Sequence, residues 1–544
     1  MAAASSQLPA VLPGRLARPK YNKWLITLSI TFGTLMGAID SSIVSVAIPH
    51  MMGSLGSTVQ EITWISTGYI IANVVVMPFT AFLGRQFGQK RVYMFCLALF
   101  LAGSILCGTA RTLPALIVFR AIQGFGAGAL QPTEQAILRQ TFPAKEQGMA
   151  MALFAMAVML GPALGPTLGG YIVDNYSWPW IFYINVPVGI LGLGMVWMFV
   201  HEDEEIVAKN RELAEAQRKN IDWWGIALLI SGLCSLQYFL EEGQQDDWFQ
   251  STTITVSFWA ALVLIAAFVV RELTCEVPAV NIRLFKDPVF LSGTIIGSLM
   301  FALLMATMFL LPLFMQTLLG FTATDAGFAM MPRVFVMLVA TPIVGRIYNR
   351  VSPRLIIALG VCFIAVGAYD MSHFTLESGQ RDIVFAIMTQ GIGFSCLFVP
   401  LSTVALTSIP RHKMADATGL NSLFRQVGGS IGLAIGATLL TRYGDAGRAA
   451  LVAHVTASSQ AAVDRTQGLT AMFVHRGMDV TQAREMALRA LDGIVERQAT
   501  LLAFNRVFLL AGLAFLLVLP LLYFLKVPDE AKAGPTPKID VHME

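Results

Sequence analysis

The sequence predicts an all-α polytopic membrane protein with fourteen spans, arranged as two six-helix bundles plus two inserted transmembrane helices, with both termini cytoplasmic. The first observation is composition: 56% of the residues are hydrophobic and only 13% are charged, whereas soluble domains carry about 25% charged residues. The second is a series of apolar stretches of about 20 residues, the length that crosses a bilayer as a helix. The third is an alternation of basic and non-basic connections between these stretches.

The connections set the orientation of the spans. Lys and Arg are concentrated in alternate connections, and the short connections between them hold only Arg111 and Arg381. Because basic segments stay in the cytoplasm, the N-terminus is expected inside, and one missed helix would invert the pattern. We expect the protein in the plasma membrane, the inner membrane of bacteria that have two. The predicted spans are 24–48, 61–83, 92–110, 113–138, 149–173, 180–200, 223–241, 252–270, 289–315, 325–347, 354–371, 382–407, 415–440 and 501–525.

The chain divides into two bundles, an insertion, an outer loop and two tails. The outer loop contains an amphipathic pattern at 480–497, typical of a solvated cap or of a helix that docks a partner. The predicted parts are a cytoplasmic N-tail (1–22), an N-terminal six-helix bundle (23–200), cytoplasmic linker segments with two extra transmembrane helices (201–287), a C-terminal six-helix bundle (288–441 and 500–527), an external loop with a helical element (442–499) and a cytoplasmic C-tail (528–544).

Two short basic turns indicate an internal repeat. The segment from Pro78 to Arg91 is echoed between Pro342 and Arg354, and each turn joins two spans at the cytoplasmic end. Repeated halves are how transporters build a central site that opens to each side in turn. We therefore predict gating turns that contain Arg85, Gly88, Lys90, Arg91, Arg350 and Arg354.

Four ionisable residues lie deep inside the predicted spans: Asp40, Arg120, Glu134 and Arg425. A charge at the bilayer centre costs about 2.5–3.5 kcal/mol, so each of these residues is expected to have a charged partner or a functional role. Arg333 lies closer to an outer end, where an arginine can extend its guanidinium to the membrane surface.

Asp40 and Arg120 are expected at the same depth, about 10–12 Å below the outer surface at about 1.5 Å per residue. On the fourth span, Arg120, Gln123, Gln131 and Glu134 lie within about 80° of one another. Such a stripe is typical of a proton relay facing a water-filled cavity; an ion-pair network between helices is the structural alternative. We predict that Asp40, Arg120 and Glu134 couple protons. The predicted cavity or substrate residues are Asp40, Gln123, Gln131, Asn73 and Arg425, the last of which is equally consistent with a structural clamp.

Residues 161–170 read GPALGPTLGG inside an apolar span. The prolines remove backbone donors where lipid offers no replacement. The glycines recur every four residues, so they line one face and allow another helix to approach closely. A static anchor needs neither feature, although a kinked packing helix would show the same residues. This segment contains Gly161, Pro162, Gly165, Pro166, Gly169 and Gly170.

The sequence shows no internal means of using ATP. It contains no phosphate-binding GxxxxGK[ST] motif, metal-ligand cluster, CxxC pair or nucleophile–base arrangement. We therefore expect no enzyme activity, no cofactor, no metal and no ATP site, so that the protein either is driven by a gradient, which we expect to be the proton gradient, or merely equilibrates its substrate. One proton moving through about 100 mV releases about 2.3 kcal/mol, enough for roughly a fifty-fold gradient of a neutral solute. The net charge of +3 does not indicate nucleic-acid binding.

Four segments carry a family resemblance: Leu35–Pro49, Arg120–Gly128, Gly161–Gly170 and Trp178–Pro187. Together they resemble the fourteen-helix drug:proton antiporters of the major facilitator superfamily, of the EmrB/QacA type and closest to the EmrB side. The resemblance covers essentially the whole chain. It implies the major facilitator fold, a coupling role for Asp40 and Arg120, and export as the direction of transport. Arg85 stands where many members have aspartate, so a gate that needs that carboxylate is not expected here.

These observations favour proton-coupled export of hydrophobic or amphipathic small molecules by alternating access. The alternatives are a dedicated exporter of one metabolite, such as a siderophore, an amino acid or a self-made antibiotic, and a non-transporting sensor or scaffold. The expected partners are small-molecule substrates, protons and the lipid bilayer, with no nucleic acid. For a Gram-negative source, the resemblance also implies a periplasmic adaptor protein and an outer-membrane channel.

Overall fold

In a computed structural model of the chain, helices account for nearly all of the regular structure. The structure describes residues 22–143, 146–202, 207, 214–215, 221–275, 278–348, 350–456 and 458–522. Nearly all of the predicted N-tail, the whole of the C-tail and most of the segment 201–222 lie outside this range. Fourteen helices of the described part are long and apolar enough to cross a membrane, which confirms the predicted number of spans.

The N-terminal half contains the first six spans. Thr58 and Glu61 form a capping box that begins the second span. This span changes register at a 3₁₀ turn, Met77–Phe79, where Pro78 has no N–H to donate. The helices are α1 (Lys23–Leu55), α2 (Val59–Val76), α3 (Thr80–Phe87), α4 (Gln89–Thr109), α5 (Leu113–Thr141), α6 (Gln147–Asn175), α7 (Trp180–Tyr183) and α8 (Asn185–Phe199).

The inserted pair and the C-terminal half follow. The inserted helices are α9 (Trp223–Glu242) and α10 (Thr252–Thr274), which a 3₁₀ segment, Ile282–Lys286, connects to the next span. The remaining helices are α11 (Pro288–Thr317), α12 (Ala323–Ile347), α13 (Pro353–Met371), α14 (Gln380–Val404), α15 (Met414–Val452), α16 (Gln460–His475), α17 (Val480–Leu516) and α18 (Val518–Leu521).

The region predicted as an outer loop, 442–499, is mostly helical. Helices α15 and α17 continue beyond the predicted spans, and α16 lies between them in the chain. We call α16 and the continuations of α15 and α17 the outer extension. Arg448 pairs with Asp492 over 2.7 Å, and Arg497 donates to the Leu318 carbonyl over 2.7 Å. Residues 480–497, where an amphipathic helix is predicted, form the first part of α17, which is tied to the C-terminal half.

The two halves meet along a seam that the inserted helices partly cover. Within the seam α6 packs against α12 and α14, and α15 packs against α5. The inserted helix α9 lies against both α2 and α15. There Thr67 donates to Glu242 over 2.9 Å, and Ser430 donates to Glu241 over 3.0 Å. The inserted helix α9 thus accepts a hydrogen bond from the N-terminal half at Glu242 and one from the C-terminal half at Glu241.

We call the helix ends that carry the basic turns the inner ends, and the opposite ends the outer ends. At the inner ends, a Cβ added to Gly148 of α6 would lie 2.9 Å from the Gly345 carbonyl oxygen of α12. Similarly, a Cβ on Gly419 of α15 would lie 2.9 Å from the Met77 carbonyl oxygen. The halves are therefore in backbone-close contact at their inner ends.

Candidate functional site

The Asp40 carboxylate is completely buried and accepts hydrogen bonds from three side chains. Arg120 Nη1 donates to Oδ2 over 2.5 Å, while Gln123 Nε2 and Asn185 Nδ2 donate to Oδ1 over 2.8 and 2.9 Å. Ser104 Oγ accepts from both amides at 3.1 Å and so joins them. We call Asp40, Ser104, Arg120, Gln123 and Asn185 the Asp40 network.

The network lies inside the N-terminal half and connects four of its helices, α1, α4, α5 and α8. A fifth helix, α2, closes it: the Arg120 guanidinium stacks over the Tyr69 ring at 4.1 Å, and its Nε donates to the Ile65 carbonyl over 3.4 Å. Asp40 is 0% exposed and Arg120 is 1% exposed. Removing one partner of such a buried pair costs about 3–5 kcal/mol, because the other charge is left uncompensated.

The structure brings Asp40 and Arg120 together, as their predicted depth suggested, and adds residues that the sequence did not single out. Asn185 lies in the Trp178–Pro187 segment, where an amide following an aromatic run was the available signal. Ser104 gave no signal, because a serine in an apolar helix usually bonds to its own backbone.

The predicted polar stripe of α5 separates into different environments. Gln123 belongs to the Asp40 network, whereas Glu134 lies further toward the inner end and accepts a hydrogen bond from Thr31 over 3.0 Å. Glu134 is fully buried, and its second oxygen has no hydrogen-bond partner among the described residues. Gln131 and Asn73 are half-buried. Neither residue forms a hydrogen bond with Asp40 in the described part of the chain, and the roles predicted for them remain predictions.

The glycine face of α6 lies against the part of α1 that carries Asp40. A Cβ added to Gly161 would lie 2.2 Å from the Cβ of Ala38 and 2.4 Å from its carbonyl carbon. One added to Gly165 would lie 1.9 Å from Ser42 Oγ. Ser42 Oγ also donates to the Gly161 carbonyl over 3.0 Å. The α6 backbone is thus in direct contact with α1 on both sides of Asp40, with Gly169 extending the contact to Ile43.

The remaining residues of this segment have looser surroundings. A Cβ on Gly170 would meet Thr324 Oγ1 of the other half at an ordinary 3.5 Å. Pro166 lies within the continuous helix α6, and the side chain of Pro162 lies outside the described part. The contact with α1 is therefore made by the glycines spaced four apart.

Two arginines of the C-terminal half are buried without a carboxylate partner among the described residues. The Arg425 guanidinium lies against the rings of Phe154 and Phe398, 5.7 and 5.4 Å from their centres, and the two rings are in contact with each other at 6.1 Å. Because Phe154 is on α6 and Phe398 on α14, this cation–π arrangement crosses the seam. Arg333 is 0% exposed and donates to Gln390 over 2.8 Å. Arg333 therefore does not extend to the membrane surface, as an arginine near the end of a span could; its side chain points into its own bundle.

The first predicted gating turn makes an ion pair across the seam. Arg85 Nη1 lies 2.7 Å from Asp416 Oδ2, and the two side chains are 9% and 5% exposed. Asp416 lies in the first turn of α15, where the helix dipole favours a carboxylate. The sequence led us to expect no gate here that depends on a carboxylate at position 85. In the structure the carboxylate of this ion pair belongs to Asp416, in the other half of the protein.

The other residues of the predicted turns have different surroundings. Gly88 adopts a positive φ of 88°, and the adjacent Lys90 N–H donates to Glu202 over 2.7 Å. The remaining arginines of the two turns lie exposed at the inner ends; they are Arg91, Arg350 and Arg354.

A charge exchange tests whether the Arg85–Asp416 pair holds the inner ends together. We expect Arg85→Asp and Asp416→Arg each to abolish efflux of a fluorescent dye, since either one places like charges in a nearly buried contact. The double variant restores the pair with reversed polarity and is expected to recover most of the activity. Dye efflux from cells without their own pumps measures the effect, normalised to the amount of protein in the membrane. A double variant as inactive as the single ones would contradict the assignment.

Comparison with known proteins agrees with this architecture. Residues 30–433 match the family model of the Major Facilitator Superfamily. The chain is 32% identical to the fatty acid resistance protein FarB of Neisseria gonorrhoeae over 94% of this chain and 97% of FarB. It is 33% identical to the multidrug export protein EmrB of Escherichia coli strain K12 over 94% of this chain and 96% of EmrB.

A solved structure of the proton:xylose symporter XylE has the same fold, with a TM-score of 0.57 at 13% identity, covering 90% of this chain and 94% of XylE. The expected family and the major facilitator fold with fourteen spans are thereby confirmed. The chain therefore belongs to the major facilitator superfamily of transporters, in the EmrB-like group, and is a multi-pass protein of the inner membrane.

Proposed function

We propose that the protein exports hydrophobic and amphipathic small molecules in exchange for protons, by alternating access. The observation that carries this proposal is the Asp40 network, in which one carboxylate is completely buried and neutralised by a single guanidinium. A proton that reaches Asp40 removes the charge that Arg120 neutralises. The network must then rearrange, and the helices that it joins are the ones that would move.

The glycine contact between α6 and α1 links this rearrangement to the seam. Gly161 and Gly165 hold α6 against the Asp40 segment of α1, and the same α6 packs along α12 of the other half. A shift of α1 would therefore displace α6 and the seam, because the backbone contacts between them are close-packed.

Alternating access requires the contact at the inner ends to open. We assign this structure to a state closed on the side that the basic turns assign to the cytoplasm, an assignment that the Arg85–Asp416 ion pair supports. Loading substrate from the cytoplasm would require this pair to separate. Export driven by protons would then alternate between the paired and the separated arrangements.

The proposed substrates have an apolar body. EmrB is named for multidrug export and FarB for fatty acid resistance. At the seam, Arg425 lies beside two phenylalanine rings, a combination suited to an amphipathic molecule that carries negative charge. We therefore include long-chain carboxylates among the proposed substrates, and we propose that protons, with no cofactor, supply the energy.

For a Gram-negative source we also propose a periplasmic adaptor and an outer-membrane channel as partners. The outer extension formed by α16 and the outer parts of α15 and α17 offers a surface for such an adaptor. Several of its apolar side chains are exposed, including Met472, Val480 and Leu488.

A reconstituted assay tests the proposed function. Purified protein in liposomes is expected to transport a fluorescent hydrophobic dye against its gradient when an opposing proton gradient is imposed. An uncoupler should stop this transport at once, and the internal pH should change as dye moves. Transport that is insensitive to the uncoupler, or dye movement without proton movement, would contradict proton exchange.

A further inference from the structure

A cavity lies between the inserted helices and the C-terminal half, separate from the Asp40 network. Its volume is about 520 Å³, within the range of about 300–1,000 Å³ typical of small-molecule sites. Its walls come from α9, α10 and α15, from Pro78 before α3, and from the segment Ile282–Lys286. The wall is almost entirely apolar and includes Leu229, Leu233, Ile265, Phe268, Leu420 and Leu423.

Positive charge lies at one end of this cavity. Arg283 and Lys286 belong to its lining, which contains no acidic side chain among the described residues. Arg283 Nη2 donates to the Cys275 carbonyl over 2.8 Å, so the guanidinium is held at the inner end of α10. Both residues lie in the segment that the charge pattern assigns to the cytoplasmic side. An apolar chamber with a basic rim favours a ligand that has an apolar tail and an anionic head.

The depth of the cavity corresponds to one leaflet of the bilayer. From Trp223, which begins α9, Leu236 lies about 20 Å along the axis at about 1.5 Å per residue. Half of the hydrocarbon core is about 15 Å thick, so the cavity extends from the inner surface to the middle of the membrane. Part of its lining is exposed at the protein surface, namely Val269, Leu273 and Phe424, and gives a lateral opening toward lipid.

We propose that this cavity binds an anionic phospholipid of the cytoplasmic leaflet, with an acyl chain among the leucines and the phosphate at Arg283 and Lys286. Basic pockets between transmembrane helices on the cytoplasmic side bind anionic head groups in this way. Pro78 belongs to the N-terminal half, whereas Leu420 belongs to the C-terminal half. The lipid therefore contacts both halves beside the seam, and its binding depends on how they are arranged.

Native mass spectrometry of the purified full chain tests the site, with phosphatidylglycerol and phosphatidylcholine of matched chains as probes. We expect the wild type to retain phosphatidylglycerol preferentially. Lys286→Gln should weaken that binding about five-fold, since one basic residue near the membrane surface contributes about 1 kcal/mol. Leu236→Trp should abolish it by filling the deep end, with no change of charge. Lys413→Gln, which removes an exposed basic residue at the inner end of α15, is the matched control and should leave binding unchanged.

Two results would overturn the assignment. Equal retention of the two lipids, or equal effects of Lys286→Gln and Lys413→Gln, would show that the cavity has no specific head-group site. Palmitate serves as a competing ligand in a second experiment, because it combines an apolar tail and a negative charge in a single-chain molecule. We expect palmitate not to displace phosphatidylglycerol. Displacement, together with palmitate efflux that Leu236→Trp abolishes, would make the cavity an entry site for substrate.

Discussion

Replacing Asp40 by asparagine is expected to abolish proton-driven transport while leaving a folded protein in the membrane. The amide keeps the size of the carboxylate and can still bond to Gln123 and Asn185, but it cannot exchange a proton. For one proton per neutral solute at about 100 mV, the attainable gradient of about fifty-fold should collapse to equality. Uphill dye transport in liposomes measures this, and passive dye movement down its own gradient should persist.

Asp40→Asn also leaves the buried charge of Arg120 without its partner, which is expected to destabilise the folded protein by about 3–5 kcal/mol. A second variant, Asp40→Asn with Arg120→Met, removes both charges and is expected to fold better while remaining uncoupled. Asp382→Asn is the matched control: this carboxylate is exposed and bonds only to the Gly379 N–H among the described residues. Undiminished uphill transport by purified Asp40→Asn protein would remove the coupling role.

The fold could be predicted from the sequence because lipid imposes simple rules on length and charge. A span must hold about 20 apolar residues, and basic connections must alternate. These rules gave the fourteen spans. They do not determine where a helix ends beyond the membrane, so the sequence predicts only an outer loop with one helical element where α15 and α17 continue as helices.

Part of the candidate site could also be predicted from the sequence, because the membrane restricts where charged residues can lie. Asp40 and Arg120 were identifiable because a charge in lipid needs a partner. Helical periodicity placed Gln123 and Glu134 on one face, but it could not tell that the neighbouring helices divide that face into two environments. The partner of Arg85 also could not be predicted, because Asp416 lies on a distant helix and belongs to the other half of the repeat.

Replacing Gly161 by alanine tests whether the glycine face of α6 positions Asp40. The new Cβ would lie 2.2 Å from the Ala38 Cβ, 2.4 Å from its carbonyl carbon and 2.7 Å from its carbonyl oxygen. Because two of these atoms are backbone, α1 must move, and we expect a loss of about 1–3 kcal/mol from overpacking. Dye efflux should fall to background and the thermal midpoint should drop.

Gly170→Ala in the same segment is the matched control, since its new Cβ finds its nearest neighbour at 3.5 Å. It should be neutral or slightly stabilising, because alanine is favoured over glycine in a helix by about 0.5–1 kcal/mol. Adding Ala38→Gly to Gly161→Ala removes only the side-chain part of the clash, so we expect little rescue. Full rescue, or equal effects at positions 161 and 170, would show that the helix tolerates bulk here. Close contact of α6 with α1 would then not be what holds the Asp40 carboxylate against its donors.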